Sequence, residues 1–342
     1  MRKNRNGLFA IILVCCLFVV TVSCTQDVTS RKQDDFVYRS YDEVLSCIFG
    51  IAGKYPAIIK TDIVGKSVEN RDIHALYLSS QPDKLGEIPS VRLAGNIHGN
   101  EKISSEVLLR FLDYAASNYE KNPRIKKIID ENCIVVIPVI NPDGYVKNSR
   151  RNANGVDLNR DFTDYSGVSA KPLFSQPESQ AVRDYHPEAF DCSISFHSGD
   201  VVISMLLDFA KSSVYVPKHL SLAQMLAKTY AETVCTDTGK RFCDNPDIFL
   251  GTEGVIVGGD WYIVNGSLQD WSYLETGCID MTVELSEDYA PDKKSKVDET
   301  YLYNRDAILA FIEKAGEVKN AGIDRGELRY SNKANSRFVN EF

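Results

Sequence analysis

The stretch VRLAGNIHGNEKISSEVLLRFLDYAASN, residues 91–118, contains two secondary-structure patterns and, between them, a possible site. Residues 91–97 form an apolar run typical of a strand. From Ser105 to Asn118 its apolar residues recur at the three- and four-residue spacing of a helix. His98 and Glu101 stand between these patterns, where the strand ends. Taken alone, the stretch fits a capped helix start in an ordinary loop as well as it fits a metal site.

The rest of the chain repeats the alternation of strand and helix. Further short, β-branched runs indicate strands at residues 133–140, 192–197 and 279–286. Helical spacing recurs at residues 220–234 and 299–315. This order predicts an α/β sheet protein. Residues 240–270 are rich in Gly, Asp and Asn, which predicts long loops there.

The overall charge limits the class of partner. The chain has 342 residues and a formal net charge of -8, and no cluster of Lys and Arg stands out. Nucleic-acid binding depends on clustered basic residues that neutralise phosphates, so we expect no nucleic-acid partner. We expect the protein to be a monomer.

The N-terminus has the pattern of an export signal. Three basic residues precede an apolar run at residues 8–22, which is short for a membrane span, and we interpret residues 1–23 as a signal peptide. The small residues before Cys24 resemble a bacterial lipobox, so we expect lipidation of Cys24, with residues 24–36 as a polar tether. The protein would then be an exported lipoprotein, anchored on the periplasmic or outer cell-surface side. A plain secretory signal is the alternative.

Six cysteines remain once the signal peptide and Cys24 are set aside. Cys133 and Cys192 begin strand-like runs and are expected to be buried thiols. Cys235, Cys243 and Cys278 lie in loop-rich sequence, where an exported protein can form a disulfide. Their spacing does not match a zinc ribbon.

Polar groups recur where the predicted strands end. His98, Asn141, His197 and Glu284 all occupy such positions. Ligands of open α/β sheets bind at the carboxyl ends of strands, so these scattered residues can share one site. Two imidazoles and one carboxylate are a common ligand set for catalytic zinc, and His98, Glu101 and His197 would supply it.

Several sequence blocks resemble motifs of the zinc metallocarboxypeptidases. They are GNIHGNE at 95–101, NPDGY at 141–145, RRNANGVDLNRDF at 150–162, SFHSGD at 195–200, DWYIVNGSLQDW at 260–271 and TVELS at 282–286. Two of them, NANGVDLNR and LQDW, are similar to the regulatory branch of carboxypeptidases N, E and D. The resemblance spans about residues 38–315. It implies an α/β fold with a single catalytic domain, in which helices flank a central mixed, mostly parallel, twisted β-sheet.

The resemblance also implies a hydrolytic centre. It would hold one zinc ion per chain between His98, Glu101 and His197. Asp157 would orient His98 through the ring nitrogen that zinc does not use. Glu284 would be the general base that takes a proton from water and returns it to the leaving amine.

Substrates with a free C-terminal carboxylate are the expected partners of such a centre. The resemblance assigns Arg160 and Asn159 to binding of that carboxylate and Tyr262 to closing over the substrate. It assigns Arg150 to the oxyanion of the reaction intermediate. Its neighbour Arg151 is a rival for that role.

A preference for C-terminal Lys or Arg is the expected specificity. In the regulatory branch an acidic residue eleven positions after the second histidine ligand lines the pocket, and Asp208 occupies that position. Gln269 also matches a pocket position. The segment before Asp208 lacks the usual Asn-Tyr-Pro, so a solvated loop charge is the alternative interpretation of Asp208.

Three functions are therefore open. The first is a zinc carboxypeptidase acting on peptides, and the second is a zinc amidase acting on cell-wall peptides that contain diaminopimelate. The third is a catalytically silent peptide-binding lipoprotein. In each case residues 37–317 would form the catalytic-type domain. Residues 318–342 would form a short, partly ordered tail. This tail is too short for the β-sandwich that usually follows the catalytic domain in the regulatory branch.

Overall fold

The computed structural model describes residues 34–165, 173–238 and 254–323. Within these ranges the chain forms one eight-stranded sheet with helices packed against it. The strands are β1 (Ile59–Lys66), β2 (Asp72–Leu78), β3 (Ser90–Gly95), β4 (Cys133–Ile137), β5 (Cys192–His197), β6 (Asp200–Met205), β7 (Val255–Val257) and β8 (Ile279–Ser286). The helices are α1 (Tyr41–Lys54), α2 (Lys102–Asn118), α3 (Pro123–Glu131), α4 (Pro142–Lys147), α5 (Pro177–Asp184), α6 (Leu220–Thr238), α7 (Gly258–Trp261), α8 (Leu268–Thr276), α9 (Lys294–Glu313) and α10 (Ala315–Ala321).

The sheet is mixed, with the order β1-β2-β4-β3-β5-β8-β6-β7. Four pairings are parallel, namely β3 with β4, β3 with β5, β5 with β8 and β6 with β7. The other three are antiparallel and lie toward the two edges of the sheet. The predicted fold class is therefore confirmed. Because β3, β5 and β8 are parallel neighbours, their carboxyl ends meet at one edge of the sheet.

Both faces of the sheet are buried, and successive residues of the central strands alternate between them. In β4, Ile134 and Val136 belong to the core under α1, α2, α6 and α9, whereas Val135 and Ile137 belong to the core under α5 and α8. A strand covered on both faces has an almost continuous apolar sequence. This explains why the four predicted strands were recognisable as unbroken β-branched runs.

The predicted elements are present, with changes at their ends. Strands β5 and β8 have the predicted bounds, while β3 and β4 end earlier than expected, at Gly95 and Ile137. The expectation of loops over residues 240–270 is wrong in its described part, because β7, α7 and the first three residues of α8 lie there. Strand β7 has only three residues, too few to produce a periodic signal.

Some predictions fall partly or wholly outside the described ranges. The signal peptide, Cys24 and most of the tether precede residue 34, and Cys243 lies between the second and third ranges. Helix α10 includes residues 318–321, the first residues of the expected tail. Cys133 and Cys192 are buried thiols, as predicted. Among the residues described, no helix has the length and apolar character needed to cross a membrane.

Candidate active site

The turn between β3 and α2 brings His98 and Glu101 together. Asn96 begins this turn with a left-handed backbone, φ 49°, and its side-chain oxygen accepts a hydrogen bond from the backbone N–H of Ser105 over 3.2 Å. Ser104 Oγ donates to the backbone oxygen of Glu101 over 2.7 Å. These bonds hold the turn against the first residues of α2. As a result His98 Nδ1 lies 2.7 Å from Glu101 Oε1, with both side chains almost fully buried.

His197, the last residue of β5, completes a three-residue cluster. Its Nδ1 lies 3.0 Å from Glu101 Oε2 and 3.1 Å from His98 Nδ1. The candidate ligand atoms of the three side chains all lie within 4.8 Å of one another. The structure thus brings together the three predicted metal ligands from two strand ends.

The donor set fits a zinc ion. Tetrahedral zinc with Zn–N distances of about 2.0–2.1 Å separates two ligand nitrogens by roughly 3.3 Å, close to the spacing of the two imidazoles. Burial by itself would raise the pKa of Glu101, but the two imidazoles lower it to about 2. An ionised carboxylate and two imidazole nitrogens that face one another are therefore arranged as ligands for one cation.

Asp157 contacts the ring nitrogen of His98 that does not face the cluster. His98 Nε2 donates a hydrogen bond to Asp157 Oδ1 over 3.1 Å, which leaves Nδ1 facing the cluster. Although burial opposes ionisation of Asp157, its hydrogen bond to His98 and the nearby positive charges lower its pKa. The predicted orienting carboxylate therefore lies where it was expected.

The two adjacent arginines point in different directions. Arg150 Nε donates to Asp157 Oδ2 over 3.0 Å, and its Nη1 lies 3.4 Å from Glu101 Oε1 at the cluster. Arg151 is exposed and donates to the backbone oxygen of Gly155 over 2.9 Å. Of the two, Arg150 is the one that lines the cleft around the cluster.

Glu284 lies beside His197 and has an unsatisfied oxygen. The two residues are paired across β5 and β8. Among the residues that the structure describes, Glu284 Oε2 is buried without a hydrogen-bond partner. Burial, opposed in part by the charge of His197, raises the pKa of Glu284 to about 8. A buried polar atom left unpaired costs free energy, and in this position it faces a cleft that admits water or substrate.

The same cleft, of about 720 Å³, contains the predicted carboxylate-binding groups. Asn159 Oδ1 accepts a hydrogen bond from the backbone N–H of Leu268 over 2.9 Å, which anchors the side-chain amide, and its NH₂ group makes no hydrogen bond to any residue that the structure describes. Arg160 lies next to it, with Nη1 donating to the Asn159 backbone oxygen over 2.8 Å. Tyr262 lines the same cleft and its side chain is half exposed.

Asp208 is buried at the other wall of the cleft, so it is not a solvated loop charge. Gln269 Nε2 donates to Asp208 Oδ1 over 3.0 Å, while Gln269 Oε1 is buried and has no hydrogen-bond partner within the described ranges. Burial raises the pKa of Asp208 to about 6. A Cβ on Gly258 would lie 2.0 Å from Asp208 Oδ1, so only glycine leaves room beside this carboxylate.

Further cleft residues were not recognised from the sequence. Asp200, Ser204, Thr282 and Tyr289 also line the cleft. Asp200 belongs to the SFHSGD block, but the resemblance assigns no role to it, whereas Tyr289 lies in a loop that carries no sequence signal. Asp200, Ser204 and Thr282 come together only through the pairing of β6 with β8.

Comparison with known proteins agrees with this geometry. A family model described as zinc carboxypeptidase matches residues 44–314. Human carboxypeptidase N catalytic chain is 30% identical over 88% of this chain and 73% of its own length. Mouse carboxypeptidase M is 32% identical over 74% of this chain and 60% of its own. Carboxypeptidase SOL1 of Arabidopsis thaliana is 28% identical over 80% of this chain and 55% of its own. The chain thus spans only between half and two thirds of the length of the last two relatives.

Solved structures with the same fold include thrombin activatable fibrinolysis inhibitor, with a TM-score of 0.69 and 22% identity over 83% of this chain and 75% of that one. Carboxypeptidase A from Helicoverpa armigera has a TM-score of 0.67 and 20% identity over 82% of this chain and 74% of that one. At such identities the likeness concerns the fold alone. Because the family model matches residues 44–314, the chain belongs to the zinc carboxypeptidase family, a family of metal-dependent hydrolases.

Proposed function

We propose that this protein is a zinc-dependent carboxypeptidase that hydrolyses the last peptide bond of peptides and releases C-terminal Lys or Arg. One observation carries the proposal. A single cleft contains the His98, Glu101 and His197 cluster, an unpartnered carboxylate oxygen on Glu284, and the Arg160 guanidinium. An exopeptidase needs these three groups within one substrate length of each other.

His98, Glu101 and His197 would hold one zinc ion per chain. When bound, zinc supplies a Lewis acid that polarises the scissile carbonyl and acidifies a water molecule. Glu284 takes the proton of the attacking water and later donates it to the nitrogen of the leaving residue. The unsatisfied Glu284 Oε2 supports this role, because it has no competing hydrogen bond to break.

Arg150 and Arg160 bind different groups of the substrate. Arg150, held by Asp157, donates to the oxygen that becomes negative as water attacks. Arg160 and the free NH₂ group of Asn159 bind the C-terminal carboxylate, for which a guanidinium is well suited because it can donate to both oxygens. Tyr262, half exposed at the cleft, closes over the bound residue.

Selectivity for a basic residue rests on Asp208 and Gln269. Asp208 contributes a carboxylate and Gln269 an unpaired carbonyl oxygen, so the pocket presents hydrogen-bond acceptors to the incoming side chain. An ammonium or guanidinium group satisfies both, whereas an apolar side chain would leave the buried Asp208 without a cation.

We also propose export and anchoring through a lipid on Cys24. The basic, apolar and small-residue pattern of residues 1–24 supports this part of the proposal. Replacement of Cys24 by Ala in the full chain, followed by membrane fractionation and labelling with a radioactive fatty acid, tests it. An unlabelled wild-type protein would exclude the lipid anchor.

The decisive assay for the activity is release of the last residue from short peptides by the zinc-loaded protein. Peptides ending in Lys or Arg are expected to be cut faster than the same peptides ending in Leu or Glu, and a chelator is expected to abolish cleavage. Muropeptides ending in diaminopimelate form a parallel panel. Preferential cleavage of that panel would overturn the peptide-carboxypeptidase proposal in favour of the amidase, and no cleavage of either panel would favour a binding protein.

A further inference from the structure

The two proposed carboxylate-binding residues lie in one short 3₁₀ helix, Leu158–Arg160. Asp157 closes its start, because Asp157 Oδ1 accepts a hydrogen bond from the backbone N–H of Asn159 over 3.0 Å. Arg160 Nη1 donates to the backbone oxygen of Asn159, so the guanidinium lies against this turn. A displacement of the turn would therefore move Asn159 and Arg160 together.

Asp161 ends the turn, and its side chain is buried. Its Oδ1 accepts hydrogen bonds from the backbone N–H of Ser175 over 3.0 Å and from the Ser175 hydroxyl over 2.6 Å. Its Oδ2 accepts from the backbone N–H of Gln176 over 3.0 Å and from the hydroxyl of Ser179. An ionised carboxylate offers about four acceptor positions, and these four donors fill them.

This pattern of donors favours a carboxylate over an amide at position 161. Each oxygen of Asp161 faces a backbone N–H, which can donate but cannot accept. An asparagine there would turn its NH₂ group toward the backbone N–H of Ser175 in one orientation and toward that of Gln176 in the other. In both orientations one backbone N–H would lose its acceptor, so the substitution would loosen the connection between the turn and residues 175–179.

The donors belong to the start of α5. Gln176 is the N-cap residue of this helix and Ser179 lies in its first turn, where the partial positive charge of the helix favours a carboxylate. Helix α5 in turn packs directly on β1, because a Cβ on Gly65 would lie only 2.5 Å from the Cβ of Ala181. Asp161 therefore ties the turn to a helix that the sheet holds in place.

The turn also contacts the backbone of Gly266. A Cβ on Gly266 would lie 2.8 Å from the backbone oxygen of Arg160, and Gly266 has φ +78°, so a glycine is required at this contact. The backbone oxygen of Gly266 accepts a hydrogen bond from the N–H of Phe162 over 3.1 Å. The location of the turn therefore depends on two contacts, one with Gly266 and the other with α5 through Asp161.

We propose that Asp161 is a positioning residue for substrate recognition, because its carboxylate holds the turn from which Asn159 and Arg160 bind the C-terminal carboxylate of the substrate. The inference rests on the proposed function, which supplies the role of Arg160. Asp161 acts through the turn and does not itself contact the substrate. Loss of its hydrogen bonds should therefore weaken binding of the C-terminal carboxylate more than it slows the chemical step.

The test compares a peptide carboxylate with its amide. An acetylated tetrapeptide that ends in Arg, and the same peptide with a C-terminal amide, are titrated by calorimetry into zinc-loaded Glu284→Gln. We expect the amide to bind roughly 100-fold more weakly, since it cannot form a charged pair with Arg160. Adding Asp161→Asn should reduce this amide-to-acid ratio of Kd values to about 10 or less. In the protein with Glu284 intact, Asp161→Asn should raise KM by about 10-fold and change kcat by about threefold or less.

The direction of the effect separates geometry from charge. Asp161 is negative, so its replacement by Asn would by charge alone strengthen the binding of an anion at Arg160. Weaker binding of the acid in Asp161→Asn would therefore report a displaced turn.

Asn152→Ala, in the same Glu284→Gln background, is the matched control. Asn152 is also buried, and its Nδ2 donates to Gln176 Oε1 over 2.8 Å and to Glu178 Oε2 over 3.1 Å. It thus connects the other end of the segment 150–162 to the same helix. Its replacement should lower the Tm, as Asp161→Asn should, but keep the amide-to-acid ratio of Kd values unchanged.

Ser179→Ala is a milder change, because it removes one donor to Asp161 and leaves the carboxylate in place. It should lower the Kd ratio by roughly threefold. This variant tests the inference even where Asp161→Asn does not fold.

Either of two results would overturn the inference. An unchanged Kd ratio in both Asp161→Asn and Ser179→Ala would mean that Asp161 contributes to stability alone. A ratio that falls as much in Asn152→Ala as in Asp161→Asn would assign the effect to general loosening of the segment 150–162. If Glu284→Gln binds the acid and the amide equally, or if the zinc-loaded wild type cuts no peptide, the proposed function itself fails. That outcome is distinct from a Kd ratio that exceeds one but does not depend on Asp161.

Discussion

His197 and Glu284 lie side by side as paired residues of the parallel strands β5 and β8, although they are 87 positions apart in the chain (284 − 197). His197 faces the other two members of the predicted metal cluster, and Glu284 has a buried oxygen without a hydrogen-bond partner in the part of the chain that the structure describes. The sheet therefore aligns a candidate ligand with a candidate base without any contribution from a flexible loop.

Glu284→Gln tests this alignment. We expect kcat to fall by about 100-fold or more, because loss of a general base typically costs 10²- to 10⁴-fold. Bound zinc, measured by atomic absorption, should remain at one ion per chain, since Glu284 is not among the three proposed ligands. A variant that has also lost its zinc would show that Glu284 acts as a ligand instead.

Arg150 and Arg151 form a natural matched pair. Arg150→Ala is expected to lower kcat by about 10²- to 10³-fold, with a smaller change in KM, if Arg150 stabilises the developing negative charge. Arg151→Ala removes the same charge from an exposed neighbour and should leave both constants unchanged. Similar losses in the two variants would mean that total charge rather than geometry matters.

Asp157→Ala should weaken zinc binding through His98. Removal of a carboxylate that orients a ligand histidine commonly costs 10- to 100-fold in metal affinity. Competition with a chromogenic chelator measures this change directly. Activity of the variant should recover as zinc is added, and an affinity equal to that of the wild type would contradict the orienting role.

The pH dependence of the basic pocket follows from Asp208. Burial raises the pKa of Asp208 to about 6, and only the ionised carboxylate attracts a cationic side chain. The ratio of kcat/KM for a peptide ending in Lys to that for the same peptide ending in Leu should therefore rise as the pH passes through about 6. Asp208→Asn should remove this rise and lower the ratio by about 10- to 100-fold. A ratio that is independent of pH would count against Asp208 as the selecting group.

The raised pKa of Asp208 also affects stability, which should fall as the pH rises, whereas selectivity for a basic residue should increase. Asp208 keeps its proton in the folded state up to about pH 6, whereas an unfolded aspartate loses its proton near pH 4. The folded state binds the extra proton between these values, so this contribution to the free energy of unfolding is full below about pH 4 and is lost as the pH rises to about 6. As the pH rises from about 4 to about 6, the Tm of the wild type should therefore fall relative to that of Asp208→Asn.

Much of the site was predictable because its residue types are themselves a chemical signature. Two imidazoles and a carboxylate at strand ends predicted the cluster of His98, Glu101 and His197, which the structure brings together. The role of Asp208 was harder to predict, because its segment departs from the usual motif. Its backbone N–H is held by a distant residue, donating to Asp270 Oδ1 over 2.8 Å. Tyr289 was missed because a loop residue gains its role only from what packs against it.

The sequence by itself determined the buried strands, the strand-to-turn position of His98 and the types of ligand available, because side-chain periodicity and metal-ligand chemistry are local properties. Only the tertiary structure decided that Arg150 rather than Arg151 faces the cluster, and that Val202 of β6 pairs with Glu284. The reason is that strand order and register depend on how distant apolar faces pack together. That packing is a property of the whole chain, and no short segment encodes it.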